Sequence, residues 1–276
     1  MRDCFEIITN YYCNLGCKFC SQIMSGFSFS NELILKEIYT AKKSGFRRIG
    51  FSGGESTLRE EISFYIKTAR KVGFDFIRLQ TNGYLLASSE LSHKLIDSGL
   101  SYVKFTFLSH KKDIHDLLVS KTGAFEASLK GLKNFINKTG VGVNILINSK
   151  NYKNLKDDIK FFLELGVSDF VIIYPIYTAR MYENRGFLKI PISRAFNSIV
   201  EVLDMADAYR ITGSFKILNI PPCLLGKYAK RSADFYRFNT VVSEPGIGRY
   251  DIDEQMKINK IKDFRSFIIL IIHEVK

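Results

Sequence analysis

The sequence predicts an α/β protein built on an open, curved (βα)6 partial TIM barrel, with a mostly parallel sheet and a C-terminal extension. Two observations predict this fold. Short β-branched or aromatic segments alternate with segments of helical periodicity, and most of the helical segments close at a glycine. The alternation provides six units, whereas a closed barrel of this type needs eight. An open sheet is therefore expected.

The order of the elements follows from apolar periodicity and from the turn residues between them. The six predicted strands cover residues 5–9, 48–52, 76–80, 102–107, 141–147 and 170–174. The first predicted helix begins near Asn31 and ends at Gly45. The next four predicted helices cover 58–72, 88–98, 125–138 and 155–165. Right-handed crossovers between successive strands make the sheet parallel.

The pattern changes after residue 191. A helix at 193–209 and a strand at 213–220 are expected, and the chain from about 224 onward is interpreted as basic and irregular, with a turn at Gly246 and Gly248. We divide the chain into a barrel domain, 1–212, and a truncated or diverged extension, 213–276. The apolar run 267–272 in that extension is a candidate buried strand.

Composition limits the class of protein. A chain of 276 residues with 46% hydrophobic and 25% charged residues is ordinary for a globular protein, and no apolar run approaches the roughly 20 residues of a membrane span. Acidic residues near the N-terminus replace the apolar core of a secretory signal, so a cytoplasmic location without membrane contact is expected. Five cysteines, three of them closely spaced, indicate reduced, metal-binding thiols rather than disulfides.

The net charge of +12 has more than one interpretation. A solvated basic surface is the simplest one. The charge also suits docking of an acidic electron donor or binding of an anionic substrate. A nucleic-acid partner is not expected, because no basic strip with interleaved aromatic residues is present.

Cys13, Cys17 and Cys20 have the spacing C-x3-C-x2-C in the loop after the first predicted strand. A [4Fe–4S] cluster normally takes four thiolates, so three would leave one iron open for another ligand. A zinc site would favour paired C-x2-C motifs or a nearby histidine, and the next histidine in sequence is His93. Ferredoxins use other spacings. Purely structural thiols are the remaining alternative.

This loop resembles the signature of the radical S-adenosylmethionine (SAM) superfamily, with an aromatic residue before the last cysteine. Three later stretches are similar to further motifs of the same superfamily. They are the GGE segment Ser52-Gly53-Gly54-Glu55-Ser56-Thr57-Leu58, the TNG segment Thr81-Asn82-Gly83, and a fourth-strand segment with Thr106-Phe107-Leu108, His115-Asp116, Gly123-Ala124-Phe125 and Gly131. The resemblance covers about residues 5–175. It is closest to the branch that includes molybdopterin-synthesis-like enzymes and peptide maturases.

The resemblance implies an enzyme with one [4Fe–4S] cluster and SAM as cofactors. SAM chelates the open iron, one electron from a flavodoxin or ferredoxin cleaves SAM to methionine and a 5′-deoxyadenosyl radical, and the radical takes a hydrogen atom from a peptide or a cofactor precursor. Two alternatives stay open. One is a non-enzymatic iron–sulfur electron carrier or metal-binding protein, and the other is a degenerate relative without turnover.

The resemblance also implies the site residues. Cys13, Cys17 and Cys20 are the expected cluster ligands. The expected contacts to SAM come from the ends of several strands, where function collects in parallel barrels. They are Phe19, Ser52, Gly53, Gly54, Glu55, Thr81, Asn82, Thr106, Ser109 and Asn144. Tight turns, helix capping and core packing are the corresponding structural interpretations of these residues.

Three other residues have less defined roles. His110 and His115 lie near the same rim, and the His115-Asp116 pair favours a loop. Cys223 follows two prolines, and no later cysteine accompanies it. Because one thiol cannot hold a second cluster, no auxiliary cluster is expected within this chain.

Overall fold

The computed structural model describes residues 4–211, 213–233 and 240–251. Its strands are β1 (Cys4–Ile8), β2 (Arg48–Ser52), β3 (Phe76–Thr81), β4 (Tyr102–Thr106), β5 (Gly140–Leu146), β6 (Asp169–Ile173), β7 (Ser214–Leu218), β8 (Thr240–Glu244) and β9 (Gly248–Asp251). They form one sheet in the order β7-β6-β5-β4-β3-β2-β1-β8-β9. All neighbouring strands are parallel except β8 and β9.

The helices alternate with the strands as expected. They are α1 (Asn31–Lys43), α2 (Ile62–Lys71), α3 (Ser89–Asp97), α4 (Lys112–Val119), α5 (Ala124–Phe135), α6 (Leu155–Glu164), α7 (Ala179–Glu183), α8 (Arg185–Leu188) and α9 (Ile192–Ala208). Short 3₁₀ helices lie at Ser56–Leu58, Leu85–Ala87, Tyr152–Asn154, Pro222–Leu224 and Gly226–Arg231. The sheet is not closed, and the predicted α/β partial barrel is confirmed.

The structure differs from the sequence prediction in several places, and helices α7 and α8 were not predicted. β7 pairs in parallel with β6 and so extends the barrel sheet. The region predicted to be irregular contains the hairpin β8–β9, which adds to the other side of β1; the predicted turn lies between these strands, with Gly246 at φ 78°. The predicted loop at His115-Asp116 is helix α4. The division at residue 212 stays a prediction, and the run 267–272 lies outside the described residues.

The two faces of the sheet differ in polarity because successive side chains on a strand point to opposite sides. One set of strand residues, such as Ile7, Phe51 and Phe105, is fully buried in the main hydrophobic core, together with inward-facing residues of the helices such as Ile38 and Leu132. Burial of a large apolar side chain of this kind stabilises the fold by about 1.5–3 kcal/mol. This core holds the strand ends in fixed positions.

The opposite face of the sheet carries polar side chains that form ion pairs and hydrogen bonds with one another. Arg78 on β3 forms an ion pair with Glu6 on β1, and the Nε2 of Gln80 donates to Glu6 Oε1 at 2.7 Å. Lys104 on β4 pairs with Asp169 on β6 at 3.1 Å, and burial lowers the pKa of Lys104 to about 8. These pairs fill the barrel below the carboxyl ends of the strands.

A second, smaller apolar cluster lies beneath the cysteine loop. Leu15 from that loop packs with buried residues that follow β4 and β6. Its other buried members are Leu108, Leu118, Val119, Ala124, Met181 and Leu188. The cluster anchors a loop that has little regular structure of its own. Across the described part of the chain, no helix has the length and apolarity to span a membrane.

Candidate functional site

A cavity lies at the carboxyl ends of the first four strands. Its walls come from the cysteine loop, from the segments that end β2, β3 and β4, and from α7 beyond β6. The lining residues are Cys13, Leu15, Cys17, Phe19, Cys20, Gln22, Met24, Ser52, Gly53, Gly54, Glu55, Gln80, Thr81, Asn82, Thr106 and Arg180. The expected convergence of strand ends therefore occurs, and it brings all three clustered thiols to the same cavity.

The cysteine loop is fixed from the side of α4. The backbone N–H of Gly16 donates to the carbonyl of Val119 at 3.1 Å, and the N–H of Lys18 donates to the carbonyl of Leu118 at 2.9 Å. These carbonyls belong to the last turn of α4, where no partner within the helix is available to them. The end of this helix therefore positions the peptide groups on both sides of Cys17.

The segment after β6 fixes the loop from its other side. The hydroxyl of Thr178 donates to the carbonyl of Ser21 at 3.1 Å, the N–H of Met181 donates to the carbonyl of Cys20 at 3.2 Å, and the Nδ2 of Asn184 donates to the carbonyl of Lys18 at 3.3 Å. These bonds bring α7, and with it Arg180, to the thiols.

Gly53 and Gly54 allow the end of β2 to approach the root of the cysteine loop. The N–H of Gly54 donates to the backbone carbonyl of Asn10 at 2.8 Å, and the next N–H, that of Glu55, donates to the carbonyl of Tyr12 at 2.8 Å. A Cβ on Gly54 would overlap the backbone of Tyr12, and Gly53 has a φ of 140°, which favours glycine. The backbone therefore requires glycine at both positions, and both residues also line the cavity.

Glu55 joins the ends of β2 and β3 through its carboxylate, which is almost completely buried. Oε1 accepts hydrogen bonds from the N–H and hydroxyl of Thr57, at 3.1 and 2.6 Å, and from the hydroxyl of Thr81 at 2.7 Å. Oε2 accepts from the N–H of Asn82 at 2.7 Å. Burial raises the pKa of Glu55, and these bonds oppose that effect because they favour the charged form.

Asn82 contacts the cysteine loop directly. Its Nδ2 donates to Oδ1 of Asn14 at 2.8 Å and to the Sγ of Cys13 at 3.5 Å. Its Oδ1 accepts from the N–H of Tyr84 at 2.9 Å, which forms a local turn. The side chain therefore combines the predicted turn role with a bond to one of the thiols.

The structure brings most of the residues predicted to contact SAM to this cavity, but not Ser109 or Asn144. The hydroxyl of Ser109 donates to Oδ1 of buried Asp158 at 2.8 Å, outside the lining. Asn144 lies one layer back, where its Nδ2 donates to Oε1 of Gln80 at 3.5 Å. Gln80 itself lines the cavity. The sequence prediction did not include Gln80, although its place at the end of β3 beside Thr81 could have indicated it.

The two rim histidines and the late cysteine are also outside the lining. The Nδ1 of His110 lies 2.6 Å from Oδ1 of Asp158. His115 is buried in α4, and burial lowers its pKa to about 4, so it is neutral near pH 7. Cys223 is exposed in the 3₁₀ helix Pro222–Leu224. None of these three residues contributes to the cavity described above.

The sequence profile of the radical SAM superfamily matches residues 7–162, which is more than half of the chain. The chain belongs to the radical SAM superfamily. The family resemblance inferred from the motifs is confirmed by this match, and the relatives and structures described next are compatible with the expected branches.

Two similar curated proteins are named as enzymes. The chain is 28% identical over 175 residues to the probable GTP 3',8-cyclase of Saccharolobus solfataricus. This alignment covers 61% of this chain and 55% of that protein. It is 31% identical over 173 residues to the Fe-coproporphyrin III synthase of Methanosarcina barkeri, which covers 61% of this chain and 43% of that protein. The chain thus matches only about half of the length of these relatives.

Among solved structures, this radical SAM chain is similar to SuiB of Streptococcus suis. Crystal structures of SuiB bound to the precursor peptide SuiA and bound to S-adenosylmethionine each have a TM-score of 0.71 and 14% identity. The alignments cover 90% of this chain and 58% or 59% of SuiB. At this identity the similarity concerns the fold.

The thiols of this radical SAM chain fit an iron–sulfur cluster by the chemistry of the donor set. Within the described residues, no three His, Cys, Asp or Glu side chains are placed to hold a single metal ion. A cluster makes a different demand, because each thiolate binds a different iron. Cys13, Cys17 and Cys20 line one cavity, and Gln22 beside them has a buried Oε1 without a hydrogen-bond partner. Such polar atoms usually have a partner, so a bound group here is reasonable.

Proposed function

We propose that this protein is a radical SAM enzyme that holds one [4Fe–4S] cluster at Cys13, Cys17 and Cys20 and binds SAM in the adjoining cavity. The observation that carries the proposal is that three thiols and polar groups from three further strand ends line the same cavity. When bound, the cluster and SAM would supply the chemistry of the superfamily, which is reductive cleavage of SAM to methionine and a 5′-deoxyadenosyl radical.

The cavity provides suitable groups for such a ligand around the thiols. Gly53 and Gly54 expose backbone next to the cysteine loop, and Ser52, Gln80 and Thr106 supply polar side chains from the ends of β2, β3 and β4. The sites of small ligands usually combine an apolar wall with a few placed polar groups. Leu15, Met24 and Phe19 provide the apolar part.

The role of Glu55 in this proposal is positioning. Because its two carboxylate oxygens accept four hydrogen bonds from Thr57, Thr81 and Asn82, it fixes the backbone of the β2 and β3 ends. Asn82, held in this way, donates from its Nδ2 to the Sγ of Cys13 and so helps to position that thiol. Pre-organisation of this kind is what a catalytic site needs, since small displacements of reacting groups are costly.

For the substrate we propose a peptide or a cofactor precursor. The similar curated proteins are named for cyclisation of GTP and for synthesis of Fe-coproporphyrin III, and the structurally similar SuiB has been crystallised with a precursor peptide. For the reductant we propose an acidic donor such as flavodoxin or ferredoxin, in keeping with the net charge of +12. The polar strand ends beside the thiols favour this enzyme over an electron carrier, which needs no second ligand at the cluster.

The test of the proposal is formation of 5′-deoxyadenosine. After anaerobic reconstitution with iron and sulfide, the protein is incubated with SAM and dithionite, and the products are separated by chromatography. We expect 5′-deoxyadenosine and methionine in equal amounts, with none when dithionite is omitted. If the fully loaded protein forms neither product, the proposal of a radical SAM enzyme is refuted. The two alternatives, an electron carrier and a degenerate relative without turnover, would then remain.

A further inference from the structure

Arg180 is the one cationic side chain among the residues that line the described cavity. The lining has one acidic side chain, Glu55, and its carboxylate is already engaged by Thr57, Thr81 and Asn82. Arg180 therefore brings a positive charge to the cavity that the three thiols line, and the one carboxylate of the lining is engaged elsewhere.

The backbone around Arg180 is fixed relative to the thiols. The N–H of Met181, the next residue, donates to the carbonyl of Cys20 at 3.2 Å, and the Met181 side chain is fully buried in the small apolar cluster. The Nδ2 of Asn184 joins the carbonyl of Arg180, at 2.8 Å, to that of Lys18, at 3.3 Å. Residues on both sides of Arg180 are thus hydrogen-bonded to the cysteine loop.

The residue before Arg180 has an unusual backbone conformation. Ala179 begins α7 with a φ of 45°, in the left-handed region that favours glycine. A non-glycine residue in this conformation is strained and persists only where the surroundings impose it, most often at functional sites. The three hydrogen bonds from Thr178, Met181 and Asn184 to the cysteine loop supply that constraint.

Cys13, Cys17 and Cys20 are half-buried in this cavity, where water screens a charge less than it does at an open surface. A cluster bound by three thiolates brings negative charge to this place, and reduction by one electron adds one more negative charge.

We infer that the positive charge of Arg180 stabilises the reduced form of the cluster and so raises its reduction potential. The inference rests on the cluster part of the proposed function. The electron comes from a low-potential one-electron donor and adds to the cluster without making or breaking a bond. An opposite charge in a partly desolvated cavity favours the more negative state, because the interaction is weakly screened there.

The test is a redox titration of the loaded protein in the absence of SAM, followed by the electron paramagnetic resonance signal of the reduced cluster. Arg180→Gln should lower the ratio of reduced to oxidised cluster about tenfold at a fixed potential, which corresponds to a shift of about 59 mV to more negative potential. Arg180→Lys, which keeps the charge, should stay within about twofold of the wild-type ratio.

Arg185→Gln is the matched control. Arg185 follows on α8, lies over the ring of Tyr182 at 4.0 Å and does not line the cavity, so its removal should leave the ratio unchanged. If Arg180→Gln keeps the wild-type potential, the inference is overturned; weaker SAM binding in that variant would then identify Arg180 as a ligand of the SAM carboxylate. Iron analysis of the wild-type protein comes before any titration. If it finds no cluster, both this inference and the proposed function fail.

Discussion

Replacement of Cys17 by alanine is expected to remove the cluster. Cys17 lies between Cys13 and Cys20 in sequence, and all three thiols line the same cavity. Two thiolates cannot hold a cube that already lacks its fourth protein ligand. After reconstitution, iron content and visible absorbance should fall to the background level. Formation of 5′-deoxyadenosine should fall by more than about 100-fold, beyond the 10- to 100-fold loss typical of outer-shell changes.

Cys223→Ala is the control for this variant. Cys223 is exposed and lies outside the cavity, so its removal should leave iron content and product formation at wild-type levels. Far-ultraviolet circular dichroism of both variants checks that the fold is retained. Unchanged iron content in Cys17→Ala would contradict its assignment as a ligand, whereas loss of iron in Cys223→Ala would contradict the view that the late cysteine is not part of a metal site.

Gly54→Ala is expected to have the second largest effect. The added Cβ would overlap the backbone of Tyr12, the residue before Cys13, so the alanine cannot be accommodated unless the root of the cysteine loop moves. Overpacking of this type costs about 3 kcal/mol at the upper end of its usual range. Urea unfolding of the apoprotein should show a loss of about that size. The displaced loop should also bind iron poorly after reconstitution.

Gly186→Ala provides the matched control for a Gly-to-Ala change. Gly186 is helical, and a Cβ at this position would meet no atom within 4 Å. Its substitution should change the free energy of unfolding by less than about 0.5 kcal/mol, as is usual for surface sites, and iron uptake should not change. Equal stability of Gly54→Ala and Gly186→Ala would show that the close approach of β2 to the cysteine loop is not required.

The barrel could be predicted from the sequence because its signals are local. Each βα unit combines a short apolar strand with an amphipathic helix, and glycines such as Gly45 and Gly99 end the helices. The hairpin β8–β9 was not predicted, since its pairing partner β1 lies more than 230 residues away in sequence and gives no local signal. Helix α4 was missed for another reason: the polar His115-Asp116 pair indicated a loop, but His115 is buried in the helix.

The site was predictable where one short motif supplies several groups. The three cysteines and the Gly53-Gly54-Glu55 segment carry their spacing in the sequence, and the parallel topology brings them together. Arg180 could not be found in this way, because its approach to Cys20 depends on hydrogen bonds across about 160 residues of chain. Ser109 shows the reverse case: it follows β4 as expected, but its hydroxyl donates to Asp158 and it does not line the cavity.

The central claim is that Cys13, Cys17 and Cys20 bind three irons of a cluster and that SAM coordinates the fourth. Mössbauer spectroscopy of protein reconstituted with iron-57 tests this most directly, because it distinguishes the irons of one cluster. We expect one of the four irons to change its signal when SAM is added, while the three bound by cysteine stay as they were. A spectrum that SAM leaves unchanged, at full iron loading, would contradict the claim.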